Sequence, residues 1–265
     1  MAGEGPAVRY EVRAGIAHIR LNRPEVLNAW TPDLGRELLA AVQSASADPD
    51  VRCGLVTGAG RAFSAGADVN NAREVTPEGA PDLSVRLLTI YNPIALAIRG
   101  SRTPFITAVQ GACAGLGVSL ALASDVVIAA EDAFFLLAFI KLALSPDGGV
   151  TAFLTERVGT TRAAELCLLG ERLDARRAQD WGLVRSVHAV DELAAVGEEL
   201  AARIAAADAD VIGRAKRNLG LHRLPVLRRH LELEARMQHR HGMTHDYSEG
   251  RAAFAEKRPP EFTGS

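Results

Sequence analysis

Gly111-Ala112-Cys113-Ala114-Gly115-Leu116-Gly117 stands between a β-forming run, Phe105 to Val109, and an apolar helical pattern ending near Ser124. The first turn of a helix presents unpaired N–H donors and a partial positive charge. A carbonyl oxygen gaining negative charge is a natural guest there. A second loop of the same kind, Ala62-Phe63-Ser64-Ala65-Gly66-Ala67-Asp68, follows the strand pattern Val51 to Thr57. Small residues let backbone N–H groups approach a ligand closely. Taken singly, the Ala62 to Asp68 loop reads better as a tight turn, and the Gly111 to Gly117 connection equally well as close strand–helix packing. Taken together, they can each aim one amide at one oxygen.

Outward from these loops, the chain alternates strands and helices. Val8 to Arg13 and Ile16 to Leu21 read as a hairpin turning at Ala14-Gly15. Thr31 is an N-cap with Pro32 at the first helical position, followed by Leu34, Leu38, Leu39 and Val42 at helical spacing. Leu83 to Arg99 reads as a helix kinked at Pro93. Asp125 to Ala130 and Phe134 to Ala138 read as strands. From Val150 the pattern is almost wholly helical: Thr160 to Leu169, Asp174 to Trp181, Asp191 to Ala207, Val211 to Leu219, Pro225 to Arg240, and a last helix from Ser248. Only Leu183 to Val187 interrupts it as an extended stretch. This is an α/β core followed by a helical region.

Composition sets the outer bounds. Of 265 residues, 48% are apolar and 23% charged, enough for a sizeable core. A net charge of -2 gives no global pull toward nucleic acid or membrane. No basic segment followed by an apolar run opens the chain at Met1 to Pro6, and no apolar run approaches a bilayer span, so a soluble, cytoplasmic protein is expected. Cys53, Cys113 and Cys167 lie far apart among apolar neighbours and read as reduced core thiols.

Five stretches carry a resemblance. They are Leu21-Asn22-Arg23-Pro24 with Asn28-Ala29, the Phe63 to Asp68 loop, Gly111 to Asp125, Ser145-Pro146-Asp147-Gly148-Gly149, and Glu249-Gly250 through Phe254 to Pro259. In this order and spacing the chain resembles the crotonase (enoyl-CoA hydratase/isomerase) superfamily over essentially its whole length. The resemblance implies an α/β fold, a crotonase-like spiral of ββα turns over residues 1–200. A C-terminal helical trimerisation region, residues 201–265, is implied to follow it. It implies an acyl-CoA thioester held by the amides of Ala67 and Leu116, in a homotrimer or hexamer. Coenzyme A is then part of the substrate, with no separate cofactor and no metal. Contacts to substrate or CoA fall by position on Arg23, Val26, Ala29, Ala65, Asp68, Gly117, Ser119, Phe139, Phe254 and Lys257. Phe254 and Lys257 match residues that reach CoA across a subunit interface in relatives.

The resemblance also bears on the reaction. Hydratases of the superfamily use two glutamates, at positions that here hold Ser119 and Phe139. Neither side chain can act as a carboxylate base. In several enoyl-CoA isomerases of the superfamily the base is an acid directly after the Ser-Pro proline, which here is Asp147. Ring isomerases of phenylacetyl-CoA breakdown have a segment similar to Lys141-Leu142-Ala143-Leu144-Ser145-Pro146-Asp147. The expected reaction shifts a 3-enoyl-CoA double bond to the 2-enoyl-CoA through a dienolate, with Asp147 carrying the proton. Two alternatives stand beside it. One is a hydratase using Glu131, Asp132 or Asp68; the other is an acyl-CoA binding protein without turnover. Asp147 read alone is also a helix-start acid complementing the dipole.

Other residues invite less. Five of seven histidines lie between His222 and His245, and His241 with His245 has helical spacing, but Gly242 intervenes. Trp30 and Trp181 read as packing residues. The acyl pocket is expected between the Asn70 to Leu88 region and the Phe134 to Leu142 stretch.

Overall fold

The structure is a computed structural model and describes residues 5–69, 71–220 and 223–265. Asn70 and His222 therefore lie outside the described residues. The strands are β1 (Val8–Arg13), β2 (Ile16–Leu21), β3 (Cys53–Gly58), β4 (Phe105–Val109), β5 (Ala112–Ala114), β6 (Val126–Ala130), β7 (Phe134–Leu136), β8 (Arg172–Asp174) and β9 (Val187–His188). Among the described residues they form a six-stranded sheet, β1-β2-β3-β4-β6-β9, and a three-stranded sheet, β5-β7-β8. β1 and β2 pair antiparallel, as the Ala14-Gly15 turn requires. From β2 to β9 the large sheet is parallel.

The helices are α1 (Pro32–Ala47), α2 (Ser84–Arg86), α3 (Asn92–Gly100), α4 (Leu116–Ala123), α5 (Val150–Leu169), α6 (Ala175–Asp180), α7 (Leu193–Ala205), α8 (Ala209–Gly220), α9 (Leu224–Gly242) and α10 (His245–Glu256). Two successive turns repeat one order: large-sheet strand, small-sheet strand, helix. These are β4-β5-α4 and β6-β7-α5. β3 begins the same way, with Ser64 making an isolated parallel bridge to Cys113 of β5. This is the expected ββα spiral. Every residue of α4 is buried, so the helix is apolar all round rather than along one stripe.

Local chemistry explains most boundaries. The Thr31 hydroxyl accepts from Leu34 N–H and starts α1 as read. The kink at Pro93 takes the form of a π-helical turn, Leu87–Tyr91, in which Asn92 N–H reaches back to the Leu87 carbonyl. Proline lacks a donor and its ring crowds the preceding turn, so the ladder widens just upstream. α5 is broken at Gly159, whose φ is 77°, which separates Thr160 to Leu169 from the segment before it.

Several readings need correction. β5 and β8, of three residues each, lie where a glycine-rich connection and no strand were expected. A 3-10 turn, Ala138–Leu142, replaces the end of the expected strand after Leu136. Extended pairing near Leu183 to Val187 is confined to Val187–His188. The last helix starts at His245, not Ser248, because the Thr244 side chain caps Tyr247 N–H. Cys53 and Cys113 are buried free thiols, and burial pushes Cys53 up to about 12.

Candidate active site

Asn28 locks the first loop. Its backbone is left-handed, φ 53°, a region asparagine tolerates better than most residues. Its Nδ2 donates to the carbonyls of Ala59 (2.9 Å), Ala62 (2.9 Å) and Phe63 (3.1 Å), and its Oδ1 accepts from Arg23 N–H. The Ser64 hydroxyl donates to the Asn28 carbonyl and accepts from Gly66 N–H and Trp30 Nε1. The segment around Asn28 thereby fixes the path of residues 59–66.

That path sets the direction of the Ala67 amide. Trp30 N–H donates to the Gly66 carbonyl and the Trp30 carbonyl accepts from Asp68 N–H, a parallel bridge centred on Ala67. Both flanking groups face Trp30, so the N–H of Ala67 itself is turned the other way. Leu116 is the first residue of α4, after Gly115 at φ 49°, and a first-turn N–H has no intrahelical acceptor. The two loops touch one residue before each amide. A Cβ on Gly66, φ 85°, would stand 2.8 Å from the Ala114 carbonyl oxygen and 3.4 Å from Gly115 Cα. Glycine is required here twice over, by backbone angle and by space.

Ala67 and Leu116 line one cavity of about 410 Å³, and Asp147 lines it too. Asp147 lies upstream of α5, whose N-cap is Gly149, so it does not cap that helix. Its Oδ2 accepts from Gln238 Nε2 at 2.8 Å, and Gln238 also donates to the Ser145 carbonyl at 2.7 Å. Among the described residues Asp147 Oδ1 is buried with no hydrogen-bond partner. Burial, with Glu234 nearby, raises the Asp147 carboxyl to about 8; the Gln238 hydrogen bond and the Arg73 charge offset part of this. Glu234 is itself held, accepting from Gly149 N–H (2.7 Å) and Thr151 Oγ1 (2.7 Å). A buried carboxyl with a pKa near neutrality and one oxygen unbound is equipped to take and return a proton.

Comparison with known proteins agrees with this architecture. The profile of the enoyl-CoA hydratase/isomerase family matches residues 11–265. The chain is 40% identical over 254 residues to a 1,2-epoxyphenylacetyl-CoA isomerase of Escherichia coli, covering 96% of this chain and 97% of that one. The chain belongs to the enoyl-CoA hydratase/isomerase family.

Within the family, named relatives divide by reaction. A trans-2-decenoyl-[acyl-carrier-protein] isomerase of Streptococcus mutans is 32% identical over 258 residues, 97% of this chain and 98% of that one. The crystal structure of an enoyl-CoA hydratase from Mycobacterium avium subsp. paratuberculosis superposes with a TM-score of 0.87 at 35% identity, covering 97% and 98%. Family membership thus establishes a crotonase enzyme of the isomerase or hydratase kind acting on acyl-CoA, and leaves the choice to the site.

The structure gathers most of the residues expected from sequence. Val26, Ala29, Ala65, Asp68, Phe139 and Phe254 line the same cavity as Ala67, Leu116 and Asp147. Four others stand outside its lining. Arg23 donates through Nη1 to the Ala29 carbonyl and braces that segment. Gly117 is packed beneath Ser64, where an added Cβ would be 2.9 Å from Ser64 Cβ. The buried Ser119 hydroxyl donates to the Asp147 carbonyl at 3.0 Å, supporting the loop rather than facing the cavity. Lys257 lies in a neighbouring surface depression that shares Phe254. Of the alternative acids, Asp132 accepts from Gly111 N–H and both it and Glu131 are exposed away from the cavity.

Sequence reasoning missed Gln238, Glu234, Arg73, Tyr91 and Arg251. Gln238 and Glu234 sit on α9, within the region assigned to trimerisation. From that region α9 and α10 bring Gln238, Tyr247 and Arg251 to the cavity of their own chain. Glu234 and Gln238 stand four positions apart on one helix face and are both buried, which the sequence alone did not reveal. Among the described residues no cluster of metal-ligating side chains is present, and His241 instead accepts from Ser145 N–H. No helix among them is long and apolar enough to cross a membrane.

Proposed function

We propose that the protein is an enoyl-CoA isomerase that converts a 3-enoyl-CoA to the 2-enoyl-CoA. In this reading the thioester carbonyl accepts hydrogen bonds from Ala67 N–H and Leu116 N–H. The Asp147 carboxyl removes a proton from C2, and the electrons delocalise into a dienolate whose oxygen is held by the two amides. The same carboxyl returns the proton at C4, and the double bond settles between C2 and C3. Each amide donor contributes roughly 3–4 kcal/mol of barrier lowering in such sites. One acid suffices because C2 and C4 lie on one face of the acyl chain.

The observation that carries the reading is Asp147: a buried carboxyl in the lining of the cavity, raised to about 8 by its burial. Hydration by the usual pair of glutamates has no support at Ser119, whose hydroxyl is taken up by a backbone carbonyl, or at Phe139. Of the three acids considered for a hydratase with a different base, Asp68 is the one that lines the cavity. The test is turnover of 3-hexenoyl-CoA, crotonyl-CoA and the ring epoxide acted on by the E. coli relative, with wild type and Asp147→Asn. The expected result is isomerisation of the 3-enoyl substrate, lost in the variant. Water addition to crotonyl-CoA that survives Asp147→Asn points to a hydratase instead. Tight acyl-CoA binding with no turnover points to the binding-protein alternative.

A further inference from the structure

One buried acid lies outside the cavity lining and outside the proton-transfer step. Glu234 is 6% exposed and faces the segment that carries Asp147. α9 meets that segment twice. Glu234 Oε2 accepts from Gly149 N–H at 2.7 Å, and Gln238, one turn further on, donates to Asp147 Oδ2 at 2.8 Å. A negative charge placed there opposes ionisation of Asp147, and the ionised form is the one that takes a proton from substrate. A cation that balances Glu234 therefore bears on the reaction.

The structure supplies one at the surface. Glu234 Oε1 accepts from the Thr151 hydroxyl at 2.7 Å. That hydroxyl has a single proton, so in its contact with His230 Nε2 the imidazole must donate. The three side chains form a directed chain from His230 to Thr151 to Glu234. The His230 ring also stands 3.5 Å from Glu234 Oε1, within ion-pair reach, and its side chain is 36% exposed. Hydrogen bonding and attraction to Glu234 raise His230 above its usual value, against the burial that lowers it.

The neighbouring charges have other partners. Glu156 of α5 and Arg223 beside α9 pair with each other at 3.1 Å. On the other helices packed against α9, Arg86 pairs with Glu74, Arg99 with Asp125, and Asp246 accepts from Thr263. Cys167 of α5 stays a neutral thiol, pushed up to about 11 by burial and by Glu234. Glu234 is the charge that acts on His230.

We propose that His230 is a positioning residue for Asp147: through Thr151 it orients Glu234 and balances its charge, and so sets how readily the Asp147 carboxyl ionises. The cation is lost as pH rises through the His230 titration. Glu234 then stands unbalanced, and Asp147 holds its proton more firmly. A histidine at the surface thus ties the base to solvent pH from outside the cavity. This deepens, and rests on, the reading of Asp147 as the proton carrier.

The test is a carbon-13 NMR titration of the Asp147 carboxyl, identified by its absence in Asp147→Asn, and it needs no turnover. In His230→Gln the midpoint is expected to move up by about half a pH unit, a roughly threefold loss of the ionised form at neutral pH. Thr151→Val keeps the shape, loses the hydroxyl and should move the midpoint the same way. Thr151→Ser keeps the hydroxyl and should restore the wild-type midpoint. In a Glu234→Gln background there is no charge to balance, so adding His230→Gln should leave the midpoint where Glu234→Gln alone puts it. A midpoint unmoved in both His230→Gln and Thr151→Val would overturn the proposal. So would a His230→Gln shift of equal size with and without Glu234. Either result leaves the isomerase reading to its own test, turnover of the 3-enoyl substrate by wild type and Asp147→Asn.

Discussion

The two sides of the cavity are built in opposite ways. The amide side, residues 64–67 and 112–116, is made of backbone placed by local sequence: glycines at positive φ, small side chains, and Asn28 pinning the loop. The carboxyl side is a single aspartate whose properties come from far along the chain. Gln238 and Glu234 stand 91 positions from Asp147 and 85 from Gly149 in their respective hydrogen bonds. A backbone site is therefore robust to changes in distant side chains and fragile to a single methyl group. A tuned side chain is the reverse.

The contrast yields its largest expected effect on the amide side. Gly66→Ala puts a Cβ 2.8 Å from the Ala114 carbonyl oxygen at a φ of 85°, forcing the two loops apart. Isomerase kcat should fall by about 10²–10³, the effect of losing one oxyanion donor. A kcat within a few-fold of wild type would mean the amides do not need this contact.

On the carboxyl side, Gln238→Leu removes a hydrogen bond to a charged group, worth about 1.5–3 kcal/mol. A drop of about 10- to 100-fold in kcat/KM is expected at neutral pH. The acid limb of the pH profile should also move upward, since Gln238 holds the Asp147 pKa down. Glu234→Gln keeps the local packing and removes a negative neighbour that pushes Asp147 up. Its acid limb should move below about 8, with a rate gain of a few-fold near pH 6. Limbs moving in the same direction in both variants would break the electrostatic account.

Stability supplies a smaller and independent signal. Asp147 has a folded pKa of about 8, above its unfolded value, so the folded state holds the proton more tightly. Stability from this group is fully present below the unfolded pKa, near 4, and is lost as pH rises through about 8. Asp147→Asn should leave Tm nearly unchanged at pH 4 and raise it progressively toward pH 8, as followed by thermal melts. A variant less stable than wild type at pH 8 would show that the ionised carboxylate is not strained by its site.

The same division governs how far the sequence could be read. The hairpin, α1 with its Thr31 cap, β4, α4 and β6 announce themselves through turn residues, capping and periodicity. The amide loops were legible because glycine is demanded by close backbone approach at Gly66 and by a positive φ at Gly115. β5 and β8 were not, since three-residue strands gain their identity from partners rather than from pattern. The role of α9 was hidden for the same reason: Gln238 matters only because folding brings it to Asp147. Asp147 itself was found through the motif around it, whereas its raised pKa depends on neighbours no local window contains.

The most direct test of the account is the isomerisation of 3-hexenoyl-CoA in D₂O, followed by NMR at C2 and C4 for wild type and Asp147→Asn. The account predicts that wild type forms the 2-enoyl product with proton transfer between C2 and C4, while the variant neither isomerises the substrate nor exchanges its C2 protons. C2 exchange at an undiminished rate in Asp147→Asn would contradict it.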